Sequence, residues 1–131
     1  MKISFDKWIR RLGMPLVTTD DNDLCFLIDT GASYSVLLND AYKRLKPRFK
    51  SLDKQDFLLG MVGDPQKIFM VEGPIVIGGE SYRGEFGVLE GTDVMNNVKI
   101  LTGMQIDGAL GVEFLSQYGL TLDFTNNELR S

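Results

Sequence analysis

The chain has 131 residues, of which 44% are hydrophobic and 24% are charged. A chain of this kind can bury a core and is too apolar to be disordered, so we expect a single domain over residues 1–131. The formal net charge of −4 argues against nucleic-acid binding, which needs a basic surface. The absence of histidine excludes Ser-His and Cys-His nucleophiles and His-ligated zinc.

The beginning of the chain and its single cysteine bear on the compartment. No segment approaches the length of a membrane-spanning helix, and Met1–Met14 lacks the apolar core of a signal peptide. We therefore expect a cytoplasmic protein without a membrane partner. Residues 1–14, which include Trp8, fit a helix, an N-terminal interface arm or a propeptide remnant. Cys25 lies in an apolar run, which predicts a buried and inert thiol.

From Pro15 onward, short β-rich segments alternate with turn-forming residues, as in a β sandwich or barrel. The first predicted strand is Leu16–Thr19. The next four residues, Asp20–Asp23, lack the spacing of a calcium loop and predict a polar turn. The continuous apolar run Leu24–Ile28 then predicts a strand buried on both faces, which delivers Asp29 into the interior.

The middle of the chain predicts a helix and then hairpins. Asn39–Leu45 has helical character and is stopped by Pro47. Phe57–Leu59 and Ile68–Val71 flank a glycine-rich segment, which predicts a long hairpin. Further strands are expected at 73–79 and 82–89.

The last third is less regular. Residues 91–102 show no clean period, and we expect a loop there. Val112–Tyr118 predicts a short helix that ends at Gly119, and Leu120–Phe124 alternates as a strand. The whole pattern predicts a mainly β protein with no internal repeat.

A carboxylate follows the predicted buried strand in the sequence Leu27-Ile28-Asp29-Thr30-Gly31-Ala32-Ser33. Burial alone would disfavour the charged form of an aspartate, so a carboxylate aimed at the interior needs backbone donors or a partner. Two such carboxylates that face each other share one proton; one then acts as a base on water while the other donates to a substrate carbonyl. This chemistry hydrolyses amides without histidine or metal.

The segment Asp29–Ser33 resembles the active-site motif of the aspartic proteases, especially the retropepsin-like family. Ala109-Leu110-Gly111, followed by the predicted helix, is similar to the second motif of that family. The hairpin around Gly60–Gly63 falls between the two motifs, where the family has its flap. The resemblance covers roughly residues 16–129. It implies a mainly all-β fold, which is a closed β-barrel of the acid-protease type with one short C-terminal helix.

The resemblance also implies roles for single residues. Asp29 would be the catalytic carboxylate, Thr30 would bond across a twofold axis to its mate, and Gly31 would contact the substrate through its backbone. Neither a cofactor nor a metal is implied. The residues expected at the bound peptide are Ala32, Gly60, Met61, Val62, Gly63 and Ala109.

The sequence lacks an ion pair of the retroviral enzymes and a hydroxyl that many pepsin-like enzymes have. Retroviral enzymes carry an arginine after the second motif that pairs with an acid after the first, whereas this chain has Val112 and Ser33. Ala32 replaces the Ser or Thr of many pepsin-like enzymes, and it cannot donate a hydroxyl hydrogen bond toward the carboxylate. We therefore expect activity at a less acidic pH than those enzymes prefer.

Because the sequence carries a single Asp-Thr-Gly motif, an active enzyme would be a homodimer with Asp29 and its copy on the twofold axis. The expected activity is that of an aspartic endopeptidase acting on peptides or proteins. Two alternatives stay open. The chain is a catalytically inactive peptide-binding or dimerisation module of the same fold, or it is one lobe of a longer chain.

Overall fold

The computed structural model describes the backbone of residues 1–58, 66–90 and 93–131, and the side chains of 1–53, 68–90, 96–97 and 99–131. β-strand is the main regular structure of the described residues, with a few short helices. In chain order the elements are β1 (Lys2–Ser4), α1 (Asp6–Leu12), β2 (Leu16–Thr18), β3 (Cys25–Ile28), β4 (Val36–Leu38), α2 (Asn39–Arg44), a 3-10 turn (Lys46–Arg48), β5 (Lys50–Leu58), β6 (Gln66–Ile77), β7 (Glu80–Leu89), α3 (Asp93–Thr102), β8 (Gly108–Leu110), α4 (Val112–Gln117), β9 (Thr121–Asp123) and β10 (Glu128–Arg130).

The strands of the described residues form two sheets. The larger has the order β2-β3-β8-β4-β7-β6-β5, and the smaller has the order β1-β10-β9. In the larger sheet β3 and β8 run parallel to each other, while β8 and β4 are antiparallel. The closed barrel expected from the sequence is not confirmed, because in the described part of the chain β2 and β5 are outer strands that do not pair with each other.

The two faces of β3 pack into different clusters. Phe26 and Ile28 enter the main core, which also holds Leu110 of β8. Cys25 and Leu27 face a second cluster that includes Trp8 of α1. Because both faces are covered, the strand is a continuous apolar run, as the sequence predicted.

The N-terminal residues are built into this fold. Strand β1 pairs with β10, so that Ile3 lies opposite Leu129. Helix α1 ends at Gly13, which has a φ of 69° and donates its N–H to the carbonyl of Ile9 at 2.9 Å. A positive φ of this kind favours glycine. Residues 1–14 therefore contain a strand and a helix that pack on the rest of the chain.

One part of the sequence prediction is wrong. Residues from Asp93 to Thr102, expected to be a loop, form helix α3. The helical period was obscured because Ile100 and Leu101 are 78% and 83% exposed and do not belong to a buried stripe. The short C-terminal helix expected from the sequence is confirmed as α4, and the helix expected at 39–45 is confirmed as α2.

The expected hairpin between 57 and 71 is confirmed in its strands. Strands β5 and β6 pair antiparallel, with Leu58 opposite Gln66. The predicted tip residues Gly60, Met61, Val62 and Gly63 lie outside the described residues. Among the helices that the structure describes, none has the length and apolar character needed to cross a membrane.

Candidate active site at the ends of the central strands

The position of Asp29 follows from the parallel pairing of β3 with β8. Parallel neighbours end at the same edge of a sheet, so Asp29 and Gly111, which directly follow the two strands, come close together. The Asp29 N–H donates to the carbonyl of Leu110 at 3.0 Å and so continues the ladder by one bond. Asp29 is half-buried, so its carboxylate stands at the edge of the core with access to solvent.

The residues after Asp29 make a tight turn around its side chain. The Gly31 N–H donates to Asp29 Oδ1 at 3.0 Å, and the Ala32 N–H donates to the Asp29 carbonyl at 3.1 Å. Thr30 and Gly31 are exposed, whereas Ala32 is half-buried. The backbone therefore supplies a donor that orients the carboxylate, as a carboxylate delivered by an apolar strand requires.

Ala109 lies on the same face of the sheet as Asp29. In β8 it is the partner of Leu27, and side chains two residues apart on a strand project to the same side. Leu27 and Asp29 therefore share a face with Ala109. Of the residues predicted to form the site, the structure brings together Asp29, Thr30, Gly31, Ala32 and Ala109, with Ala109 itself only 6% exposed.

Two polar residues that the sequence reading did not single out join the active-site turn to α4. Ser35 is fully buried, and its Oγ accepts the N–H of Gly111 at 3.0 Å. The Ser35 N–H donates to Oε1 of Glu113 at 2.6 Å. Val112, which stands where retroviral enzymes have arginine, is 46% exposed. The sequence shows Ser35 directly before an apolar strand, but no local pattern indicates its partners.

A different polar group lies at the other end of β3 and β8. Asp107 is 5% exposed, and its Oδ2 accepts the Cys25 N–H at 2.8 Å. Arg44 reaches its Oδ1 at 3.4 Å. Burial raises the pKa of the Asp107 carboxyl, although the bond from Cys25 and the charge of Arg44 partly oppose that rise. Burial, together with the charge of Asp107, raises the pKa of the Cys25 thiol to about 12.

These acids do not gather into a metal site. Within the residues whose side chains are described, no three His, Cys, Asp or Glu side chains converge as ligands of one ion. The chemistry that the candidate active site offers is that of a half-buried carboxylate on a backbone turn.

The fold and the turn at Asp29 define a mostly β protein with an Asp-Thr-Gly loop at the ends of two parallel strands. Neither a protein-family model nor a curated protein matches the sequence. Solved structures do match. The EIAV protease, solved in complex with the inhibitor HBY-793, is 27% identical with a TM-score of 0.57, and the match covers 83% of this chain and 89% of that one.

A second similar structure is the retroviral protease-like domain of Ddi1 from Leishmania major. It is 20% identical with a TM-score of 0.60, and the match covers 89% of this chain and 88% of that one. Both matches cover most of this chain and most of the chain to which it is similar. The chain therefore has a retropepsin-like fold.

Proposed function

We propose that this chain is one half of an aspartic endopeptidase, and that two copies form a homodimer in which both Asp29 carboxylates act on one substrate peptide bond. The observation that carries the proposal is the half-buried Asp29 on its turn, with the Gly31 N–H on Oδ1 at 3.0 Å, in a retropepsin-like fold. The similarity to the EIAV protease supports this proposal, since that protein is a protease.

The chemistry requires a second carboxylate. Two facing carboxylates share one proton because both cannot be ionised at close range. The ionised one takes a proton from a water molecule, and that water attacks the peptide carbonyl while the protonated one donates to the carbonyl oxygen. Since the sequence has a single Asp-Thr-Gly motif, a second copy would supply the other carboxylate.

The remaining site residues take supporting roles in this proposal. Thr30 bonds to its counterpart across the twofold axis, and the backbone of Gly31 contacts the substrate peptide. Ala32 and Ala109 line the peptide pocket, and the flap predicted at Gly60–Gly63 would close over the bound peptide and exclude water. The reaction needs neither cofactor nor metal.

The first test compares wild type with Asp29→Asn on a mixed peptide library from pH 3 to 8, with cleavage read by mass spectrometry. Asparagine keeps the shape of the side chain but cannot share the proton, so we expect the rate to fall by roughly 10³-fold or more. Asp40→Asn, at an exposed carboxylate of α2, is the matched control and should cleave like wild type.

Protein concentration tests the homodimer in the same experiment. If the active species is a dimer that forms weakly, the wild-type rate rises more steeply than linearly with chain concentration. Equal cleavage by wild type and Asp29→Asn would remove Asp29 from the mechanism. No cleavage by either protein at any concentration would favour the inactive binding module over the protease.

A further inference from the structure

Ser35 is a junction between the active-site turn and three other parts of the fold. It immediately precedes β4 and is fully buried. Its Oγ accepts from Gly111, its carbonyl accepts the Gly87 N–H at 3.0 Å, and its own N–H donates to Glu113. The N–H, the carbonyl oxygen and the hydroxyl oxygen of this residue therefore all help to hold the end of the turn in place.

The start of the turn is hydrogen-bonded to the junction of β8 and α4. The Asp29 N–H binds the Leu110 carbonyl at 3.0 Å, and the Val112 N–H donates to the Ala32 carbonyl at 2.9 Å. The chain from Asp29 to Ser35 is thus fastened along its length to the junction of β8 and α4. Only one of these fastenings, the bond from Ser35 N–H to Glu113 Oε1, uses an acidic side chain.

Glu113 is an unusual residue to place there. Its Oε2 is buried and has no hydrogen-bond partner among the described residues. The carboxylate fits because Gly111 has no side chain: a Cβ at Gly111 would lie 2.6 Å from Oε2 and 2.8 Å from the Ala32 carbonyl oxygen. A buried oxygen without a donor costs stability. The short hydrogen bond of 2.6 Å from the Ser35 N–H to the other carboxylate oxygen, Oε1, offsets this cost.

From these contacts we infer that Glu113, acting through Ser35, is a positioning residue for Asp29. It keeps the turn in the one geometry in which the Asp29 carboxylate meets its counterpart, in place of the arginine–acid pair that Val112 and Ser33 cannot form. This inference rests on the proposed function. Displacement of a reacting group by about 1 Å is enough to cost roughly 10²-fold in rate, so a loosened turn affects turnover more than substrate binding.

The test uses Glu113→Ala and Glu113→Gln, with Ser116→Ala, an exposed position on the same helix, as the control. Glutamine keeps an oxygen that accepts the Ser35 N–H and places an amide nitrogen where Oε2 of Glu113 has no hydrogen-bond partner among the described residues. We expect kcat to fall roughly 10- to 100-fold in Glu113→Ala with KM within about twofold, and Glu113→Gln to restore kcat to within about threefold of wild type. The pH profile of Glu113→Gln should match that of wild type, because the proposed role is a hydrogen bond and not proton transfer.

Amide hydrogen exchange measures the local stability of the turn and does not require catalysis. It therefore separates failure of this inference from failure of the proposed function. In Glu113→Ala we expect the amides of Gly31, Ser35 and Gly111 to exchange at least about tenfold faster, while Val71 in the β6–β7 pair keeps its rate. Glu113→Gln and the control should exchange like wild type.

Three outcomes would overturn the inference. The first is unchanged exchange at Ser35 in Glu113→Ala. The second is equal acceleration at Ser35 and Val71, which would mean that Glu113 only stabilises the fold as a whole. The third is a Glu113→Gln protein as impaired as Glu113→Ala, since the hydrogen bond alone would then not account for the effect. If neither wild type nor variants cleave peptides but the exchange pattern holds, the inference stands for the turn and the protease proposal fails.

Discussion

The two ends of the β3–β8 pair carry the same kind of group in opposite surroundings. At the end where the strands begin, Asp107 is 5% exposed, bonded by Cys25 and paired with Arg44. At the end where they finish, Asp29 is half-buried and bonded by Gly31. A carboxylate that is closed in by its own chain stabilises contacts, whereas one left at the edge on a backbone turn is available for chemistry. Asp29 directly follows β3, and Asp107 directly precedes β8.

The largest expected difference between the two ends is the loss of stability when a glycine is replaced by alanine. In Gly108→Ala the new Cβ would overlap the carbonyl oxygen of Val36 and lie 3.2 Å from Leu37 Cα, both of which are backbone atoms of β4. Since backbone cannot yield as a side chain does, we expect a loss of about 3 kcal/mol in the free energy of unfolding. In Gly31→Ala the Cβ would lie 3.4 Å from Asp29 Oδ1, in ordinary contact, and the loss should stay within about 1 kcal/mol.

Urea denaturation followed by circular dichroism measures both glycine variants at one protein concentration. Similar midpoints for Gly108→Ala and Gly31→Ala would contradict the tight junction at the start of β8.

The next difference concerns the carboxylates themselves. Asp107→Ala leaves the buried Cys25 N–H without its acceptor, which should destabilise the fold by about 1–3 kcal/mol. Asp29→Ala removes one bond to an exposed glycine and should change stability by only about 0.5 kcal/mol. Denaturation midpoints of the two variants test this. An Asp29 variant as destabilised as the Asp107 variant would assign Asp29 a structural role.

The buried carboxylate also has a pH signature. Burial raises the pKa of Asp107 above its ordinary value of 3.8, so the folded protein holds this proton more tightly than the unfolded chain does. The contribution of Asp107 to stability is therefore most favourable below pH 3.8 and declines as the pH rises through the raised folded-state value. As the pH rises through this range, the stability of Asp107→Asn should therefore increase relative to that of wild type. A constant difference between pH 3 and 7 would contradict it.

The smallest expected effect concerns the reactivity of the Cys25 thiol. Because burial and the charge of Asp107 raise the pKa of the Cys25 thiol to about 12, only about one thiol in 10⁴ is ionised at pH 8. Iodoacetamide should therefore modify Cys25 at least about 100-fold more slowly in the folded protein than in urea. Mass spectrometry of timed samples measures both rates. Comparable rates would mean that this end of β3 opens readily.

Several parts of this comparison were accessible from the sequence. The apolar run that ends at Ile28 predicted a buried strand and the placement of a carboxylate directly after it, and β3 confirms the strand. The helix ending at Gly119 was also predictable, and the structure gives that glycine a φ of 61°. Helix α3 and strand β10 were not predicted. Exposed apolar residues hid the period of α3, and β10 is a segment of only three residues.

What the sequence by itself determined, then, are properties of short stretches: which run is buried, where a turn needs glycine, and which carboxylate stands at a strand end. Only the tertiary structure decided the partners. Ser35 meets Glu113 across 78 positions and Cys25 meets Asp107 across 82, while Arg48 binds the polar turn at Asp23 at 2.9 Å. An apolar run or a glycine at a turn can be recognised from neighbouring residues in the chain, whereas such pairings depend on which strands lie side by side, and no local pattern encodes that.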